Sequence, residues 1–312
     1  MKRYAVIDIG SNSTRLMLAE YDKRIIVHEK RLVTTRIGEQ IALTGKLSEE
    51  GMRLTLDALR QYKAVAASFE AHELLAFATS AVRESSNKYE FLDLCAQIGI
   101  NVNVIDGQTE AHIGFFGAVG MQTGKLIDIG GGSTELVYGK DGNIALLGSV
   151  PMGCVRARGL FEDTHEGLKA LCKAFLGTQT EFTETLHAHV HKEKKGAAHL
   201  LSRMKRQPGP LYAVGGTATS LCAMAAGLTR HYDARLVHGR QTTCGEITQL
   251  MRTLGALSVD QRIHAYPLLG RRAEIIRYGG ALLLCSMHEL DAPSIIVSDA
   301  DNLEGYLLYT CE

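Results

Sequence analysis

The feature that most constrains this chain is a glycine-centred pattern that occurs twice. Leu126–Tyr138 reads LIDIGGGSTELVY: an apolar run ending in Asp128, three glycines, then a second extended run from Ser133. Apolar run, glycines, then β-branched and apolar residues predict a tight hairpin, placed here at a sheet edge. Glycines let the backbone approach a ligand, because no Cβ holds it off. Their free N–H groups form a nest suited to phosphate oxygens. Asp128 enters the turn and Glu135 leaves it, so two carboxylates flank a phosphate-sized hollow. Carboxylates beside phosphate repel it unless a cation sits between, so the arrangement implies Mg²⁺.

The chain start repeats the device. Tyr4–Ile9 is an apolar run containing Asp8, then come Gly10, Ser11, Asn12, Ser13 and Thr14, then a second run from Arg15 to Tyr21. DIGSNST and DIGGGST, a domain-length apart, predict an internal duplication with a ligand held between the halves. A chain of 312 residues has room for two such domains. The break near 120–125 gives boundaries of 1–122 and 123–300, with the closing segment 301–312 crossing back to the first domain.

Lys+Arg and Asp+Glu each number 34, so no global basic field points to nucleic acid. The seven cysteines are scattered without a C-x-x-C, which disfavours disulfides and structural zinc and fits a reducing cytoplasm. No apolar run reaches the ~20 residues of a membrane helix, and the N-terminus reads as a strand rather than a signal peptide.

Along the chain, three strands to residue 34 lead into an amphipathic helix over 49–70, capped by Ser48. Strands at 74–78 and 102–105 alternate with helices at 87–98 and 108–119, giving an α/β mixed sheet. Arg83, just past a strand end, can offer a fork to phosphate. Glu110, in the first turn after Gly107, suits a general base aimed at a water. Arg156 and Arg158, after Gly153, are candidates to neutralise further phosphates. Residues 162–206 read as polar helix. On it His187, His189 and His191 fan apart and make a poor metal site. Lys192, Lys194, Lys195, Arg203, Lys205 and Arg206 form a basic run, a solvated face or a track for a long polyanion. Gly215–Gly216 opens a helix and is a further anion site. The spacing predicts one long helix over 271–290.

DIGSNSTR, ATSAVR, IDGQTEAHIG, DIGGGSTEL, PMGCVR, AVGGTATSL, VHGR, RRAEII and SDADNLEGYL resemble, in the same order, the motifs of the exopolyphosphatase/guanosine pentaphosphate phosphohydrolase family. The resemblance spans nearly the whole chain. It implies two ribonuclease-H-like domains of the actin-like ATPase and sugar-kinase superfamily around a cleft. It also implies Mg²⁺-dependent release of terminal phosphate from polyphosphate, from pppGpp or from both, with Mn²⁺ able to substitute. Glu110 matches the family's catalytic glutamate, and Arg83 an arginine of its third motif. Asp128 and Glu135 match the acids near the metal, with Asp8 beside them. Ser11, Asn12, Ser13 and Arg15 match the first phosphate loop. Gly130, Gly131, Gly132, Ser133 and Thr134 match the second.

Three positions depart from the pattern. Asp106 replaces the usual serine before Gly107. Arg272–Ala273–Glu274 replaces Arg-Ala-Asp. Asp301–Asn302–Leu303–Glu304–Gly305 replaces Gly-Leu-Arg-Glu-Gly and removes an arginine from that turn. The chain stops where longer relatives continue into a helical HD-type domain, so the short two-domain form is expected, with a homodimer allowed. Two alternatives stay open: a slow or silent sensor of polyphosphate or ppGpp, and a metabolite kinase of the same superfamily. Glu110 in place of an aspartate base argues against the kinase, and the three acids together against a dead site.

Overall fold

The computed structural model describes residues 1–186 and 189–311. Its first sheet comprises β1 (Lys2–Ile9), β2 (Thr14–Tyr21), β3 (Ile25–Val33), β4 (Glu73–Ala78) and β5 (Asn103–Val104), in the order β3-β2-β1-β4-β5. β1, β2 and β3 form an antiparallel meander, while β4 lies parallel to β1 and β5 parallel to β4. Residues 4–9 of β1 are all buried, without alternation, because helices cover both faces. On one face the helix Glu49–Ser68 contributes Met52, Leu56, Leu59 and Tyr62. Its N-cap is Ser48, which accepts from Gly51 N at 3.1 Å. On the other face Leu303, Tyr306 and Leu307 of the closing helix Asn302–Cys311 pack on Tyr4, Val6, Met17 and Phe77.

The second sheet holds β6 (Gly124–Ile129), β7 (Thr134–Lys140), β8 (Asn143–Val150), β9 (Gln179–Leu186), β10 (His189–Gly196), β11 (Leu211–Val214), β12 (Gln241–Thr243) and β13 (Ser294–Val297). Its order is β10-β9-β8-β7-β6-β11-β13-β12. The run β8-β7-β6-β11-β13 repeats the first sheet strand for strand, with the same antiparallel and parallel pairings. The chain is therefore two ribonuclease-H-like domains, the second extended by β9–β10 at one edge and β12 at the other.

The structure corrects three expectations. The hairpin 126–138 sits in the centre of its sheet, because β11 joins β6 on the far side and β8 joins β7. Its unbroken burial is the mark of a strand covered on both faces. Residues 162–206 are not one helix. The helix His165–Gly177 is followed by the β9–β10 hairpin and the helix Ala197–Lys205. In β9, Thr180 and Phe182 point inward while Gln179 and Glu181 are exposed, a period of two hidden by the polar composition. The helix expected to carry the histidines is absent there: His189 and His191 lie on β10, and His187 lies outside the described residues. The expected helix 271–290 is split into a 3₁₀ segment, Pro267–Glu274, and a helix, Ile276–Glu289. Gly270 breaks the first at φ 47°.

The closing helix crosses the helix Gly107–Ala118 backbone to backbone. A Cβ on Gly117 would stand 1.9 Å from Asp301 O, and one on Gly305 1.8 Å from Ile113 O. Neither obstacle is a flexible side chain, so the helices must separate to admit a methyl group. Gly305→Ala and Gly117→Ala are each expected to cost about 3 kcal/mol or more, at the severe end of overpacking. Denaturant unfolding midpoints unchanged from wild type would refute this.

Candidate active site

The two glycine turns are built alike. Gly10 N donates to Ser13 O at 3.1 Å, and Gly130 N to Ser133 O at 3.0 Å. In register, Asp8 faces Arg15 across the first hairpin and Asp128 faces Glu135 across the second. Both turns open on one cleft of about 1050 Å³. Ser11, Asn12 and Ser13 line it from the first turn, and Gly130, Gly131 and Ser133 from the second. The turns also touch: a Cβ on Gly131 would lie 2.7 Å from Ser11 Cβ, and one on Gly132 2.3 Å from Ser80 Oγ. Gly132 therefore serves the contact between the halves rather than the cleft wall. Thr134 Oγ1 donates to Met152 O at 2.6 Å, bracing the turn from behind.

The acids gather at the base of this cleft. Glu110 occupies the first turn of the helix Gly107–Ala118. Asp106 caps that helix, accepting from Thr109 N at 2.7 Å, so this departure from the family pattern is structurally sound. Arg83 Nη1 donates to Glu110 Oε2 at 3.1 Å and to Ile105 O at 2.9 Å. Arg83 thus acts on Glu110 and does not line the cleft. Burial outweighs that pairing and raises the Glu110 pKa to about 7, the value wanted of a base at neutral pH. Asp128 also rises to about 7, through burial and then the charges of Asp301 and Glu110. Glu135 is pushed well above the carboxylate range by burial, then by Glu110 and Asp128. Ser149 Oγ donates to its Oε1 at 2.7 Å.

Two buried carboxylate oxygens, Asp8 Oδ1 and Glu135 Oε2, have no hydrogen-bond partner among the described residues. Such orphans are costly unless something positive meets them. No group of three or more His, Cys, Asp or Glu side chains forms a ready metal cage among the described residues. Mg²⁺ does not need one, because it keeps several waters and takes one or two carboxylates. The donors present therefore suit it.

The third glycine turn also faces the cleft. Gly215 has φ 79°, and Gly216 opens the helix Gly215–Ala225. Arg272 lies directly over it: a Cβ on Gly216 would stand 2.5 Å from its Nη2. Arg272 Nη1 donates to Ser220 Oγ at 2.7 Å. Burial lowers its pKa, and no carboxylate pairs with it among the described residues. A half-buried guanidinium without a carboxylate partner among the described residues is the site residue that sequence reasoning missed. The available signal was Arg271–Arg272 just after Gly270, before a long apolar helix.

Other expected cations are engaged elsewhere. Arg156 donates from Nε to Gly132 O at 3.0 Å and pairs with Glu84. Arg158 pairs with Glu39 at 2.6 Å and with Glu274 at 2.7 Å, and Glu274 also meets Arg36. Arg15 is held between Asp8 and Asp301. None of the basic run 192–206 lines the cleft. Lys192 meets Glu181, Lys195 meets Glu193, Arg203 meets Glu184 and Lys205 meets Asp291.

Comparison with known proteins places this geometry in a family. The model of the Ppx/GppA phosphatase family matches residues 20–311. Exopolyphosphatase 2 of Mycobacterium tuberculosis is 28% identical over a 343-residue alignment covering 99% of this chain and 98% of that protein. A bifunctional 3-dehydroquinate synthase/phosphatase of Fusobacterium nucleatum is 29% identical, over 97% of this chain and 46% of its own length. The crystal structure of the Aquifex aeolicus Ppx/GppA family member superposes with a TM-score of 0.77 at 28% identity, covering 99% of this chain and 97% of the other. An exopolyphosphatase from Cytophaga hutchinsonii shares the fold at a TM-score of 0.83 and 23% identity, covering 99% of this chain and 97% of the other. Matched from residue 20 to residue 311 and along nearly the full length of the mycobacterial relative, the chain belongs to the Ppx/GppA phosphatase family.

Proposed function

We propose that this protein hydrolyses the terminal phosphate of inorganic polyphosphate by in-line attack of water. The observation that carries the reading is Glu110: a buried carboxylate with a pKa of about 7, fixed by Arg83, at the base of a cleft walled by two glycine turns. Glu110 takes a proton from the water as its oxygen bonds to the terminal phosphorus. The bridging P–O bond opposite breaks, and the shortened chain departs. The turn N–H groups and Arg272 receive the phosphate oxygens, where charge develops. Mg²⁺, or Mn²⁺ in its place, would be held by Asp128, Glu135 and Asp8 and would offset charge on the transferring group. Release of phosphate from pppGpp is a second reading. It is favoured by the size of the cleft, which runs past the turns between β3 and Tyr232, Leu268 and Leu269 and leaves apolar surface for a nucleoside.

Glu110→Gln is expected to lose ~10² to 10⁴ in turnover while keeping substrate affinity, the usual worth of a general base. Near-wild-type phosphate release by that variant sinks the assignment. Because Glu110 must be ionised to act, kcat/KM should rise with pH through about 7. The Arg83 charge favours ionised Glu110, so Arg83→Met should move that limb to higher pH. A limb that stays put, or moves down, contradicts the pairing. Exhaustive chelation should abolish activity, and Mg²⁺ or Mn²⁺ should restore it, since oxygen donors suit both. Activity that persists in chelator removes the metal from the reading.

A further inference from the structure

Asp301 is an acid in a cleft assigned to a polyanion. It is 5% exposed and immediately precedes the helix Asn302–Cys311. Its Oδ1 accepts from Leu303 N at 3.2 Å, so it caps that helix. Its Oδ2 takes Arg15 Nη1, while Arg15 Nε donates to Asp8 Oδ2 at 3.0 Å and Nη2 bonds the same oxygen. Three of the five guanidinium N–H groups, one on each nitrogen, are thus spent on two carboxylates, although the side chain lines the cleft. The neighbouring residues repeat the pattern: Lys30 Nζ meets Glu304 Oε1 at 2.7 Å and Asp299 O at 2.6 Å. Asp301 also stands close enough to Asp128 for its charge to be felt there.

We propose that Asp301 is an affinity-setting residue that withholds Arg15 from the substrate. This rests on the phosphohydrolase reading and adds that the first turn grips phosphate without its arginine. With Arg15 occupied, Arg272 at the third turn is a guanidinium with no carboxylate partner among the described residues. The cleft thereby holds phosphate chains loosely, so a shortened product can leave. Removing the Asp301 charge frees Arg15 Nη1 and also relieves repulsion of the anion, and both changes tighten polyanion binding.

The test separates charge from capping. Asn and Ser cap helices about as well as Asp, so Asp301→Asn and Asp301→Ser keep the helix start and remove the charge. Inorganic tripolyphosphate is titrated calorimetrically with Mg²⁺ present and with Glu110→Gln in every protein compared, so that the proposed hydrolysis does not run. Both variants are expected to bind about tenfold tighter than wild type, a change in proportion to one nearby charge. Affinity unchanged or weakened, in a variant that melts near wild type, overturns the proposal. A second measurement uses the wild-type protein, in case the variants fold poorly. The Arg15 side-chain NMR signals, assigned with Arg15→Lys, should stay in place as tripolyphosphate is added. If they shift with saturation, Arg15 is not withheld and the proposal fails. Neither readout depends on turnover, so failure of the hydrolase reading shows up separately in the Glu110→Gln assay.

Discussion

The site depends on two backbone turns meeting where no Cβ stands between them. Gly131 packs on Ser11, Gly132 on Ser80, and Gly153 on the backbone of Gly130 and Gly131. Cys154 N and Val155 N lock the second turn from beneath, donating to Gly130 O at 2.9 Å and Gly131 O at 2.8 Å. This contact closes the base of the cleft and takes Asp8, Glu110, Asp128 and Glu135 out of water together. Burial heads the causes that raise Glu110, Asp128 and Glu135, and each carboxylate then disfavours the charge of its neighbours. The raised pKa of Glu110 and the surplus of carboxylates over cations thus have one origin. Water held out by the turns leaves too little positive charge for the acids present.

The same shortage explains where the arginines go. Arg36 and Glu39 from the first domain and Arg158 and Glu274 from the second form a closed ring of ion pairs beside the cleft. The glutamate at 274, one methylene longer than the aspartate usual in the family, reaches both Arg36 and Arg158. Arg156 adds a further link to Glu84. These cations join the halves of the molecule and do not line the phosphate-facing wall. Partly exposed pairs of this kind contribute about 1 kcal/mol or less each, so their main effect is on how the halves sit.

Short-range features of the sequence carried most of the site. Asp8 and Asp128 were legible because each hairpin is written in one continuous stretch of chain, Lys2–Tyr21 and Gly124–Lys140. Glu110 was legible because a glycine, a cap and a first turn are adjacent in the chain. What could not be read was set by distant partners. Whether the second hairpin was central or marginal depended on β11, more than seventy residues downstream. Arg156 and Arg158 looked available because Glu84 and Glu39 stand 72 and 119 residues away. β9 and β10 were obscured by Thr, Glu and Lys, whose alternation becomes visible only once Phe182 is known to be inside. The duplication is borne out by the repeated strand order, while the ribonuclease-H-like fold was implied by the family resemblance.

The duplication also shows how one device came to do two things. Position 15 in the first hairpin and position 135 in the second are equivalent in register, each opposite the aspartate one residue before the end of the preceding strand. The first copy carries an arginine there, and Asp8 is paired within its own hairpin. The second carries a glutamate, so Asp128 faces a like charge that a proton or an outside cation can relieve. The closing helix then reaches both copies from one end. Asp301 takes Arg15 on the first, and Asn302 Nδ2 approaches Asp128 Oδ2 at 3.5 Å on the second. A single position thus gives the first hairpin an internal ion pair and the second a pair of like acids, and the last helix touches both.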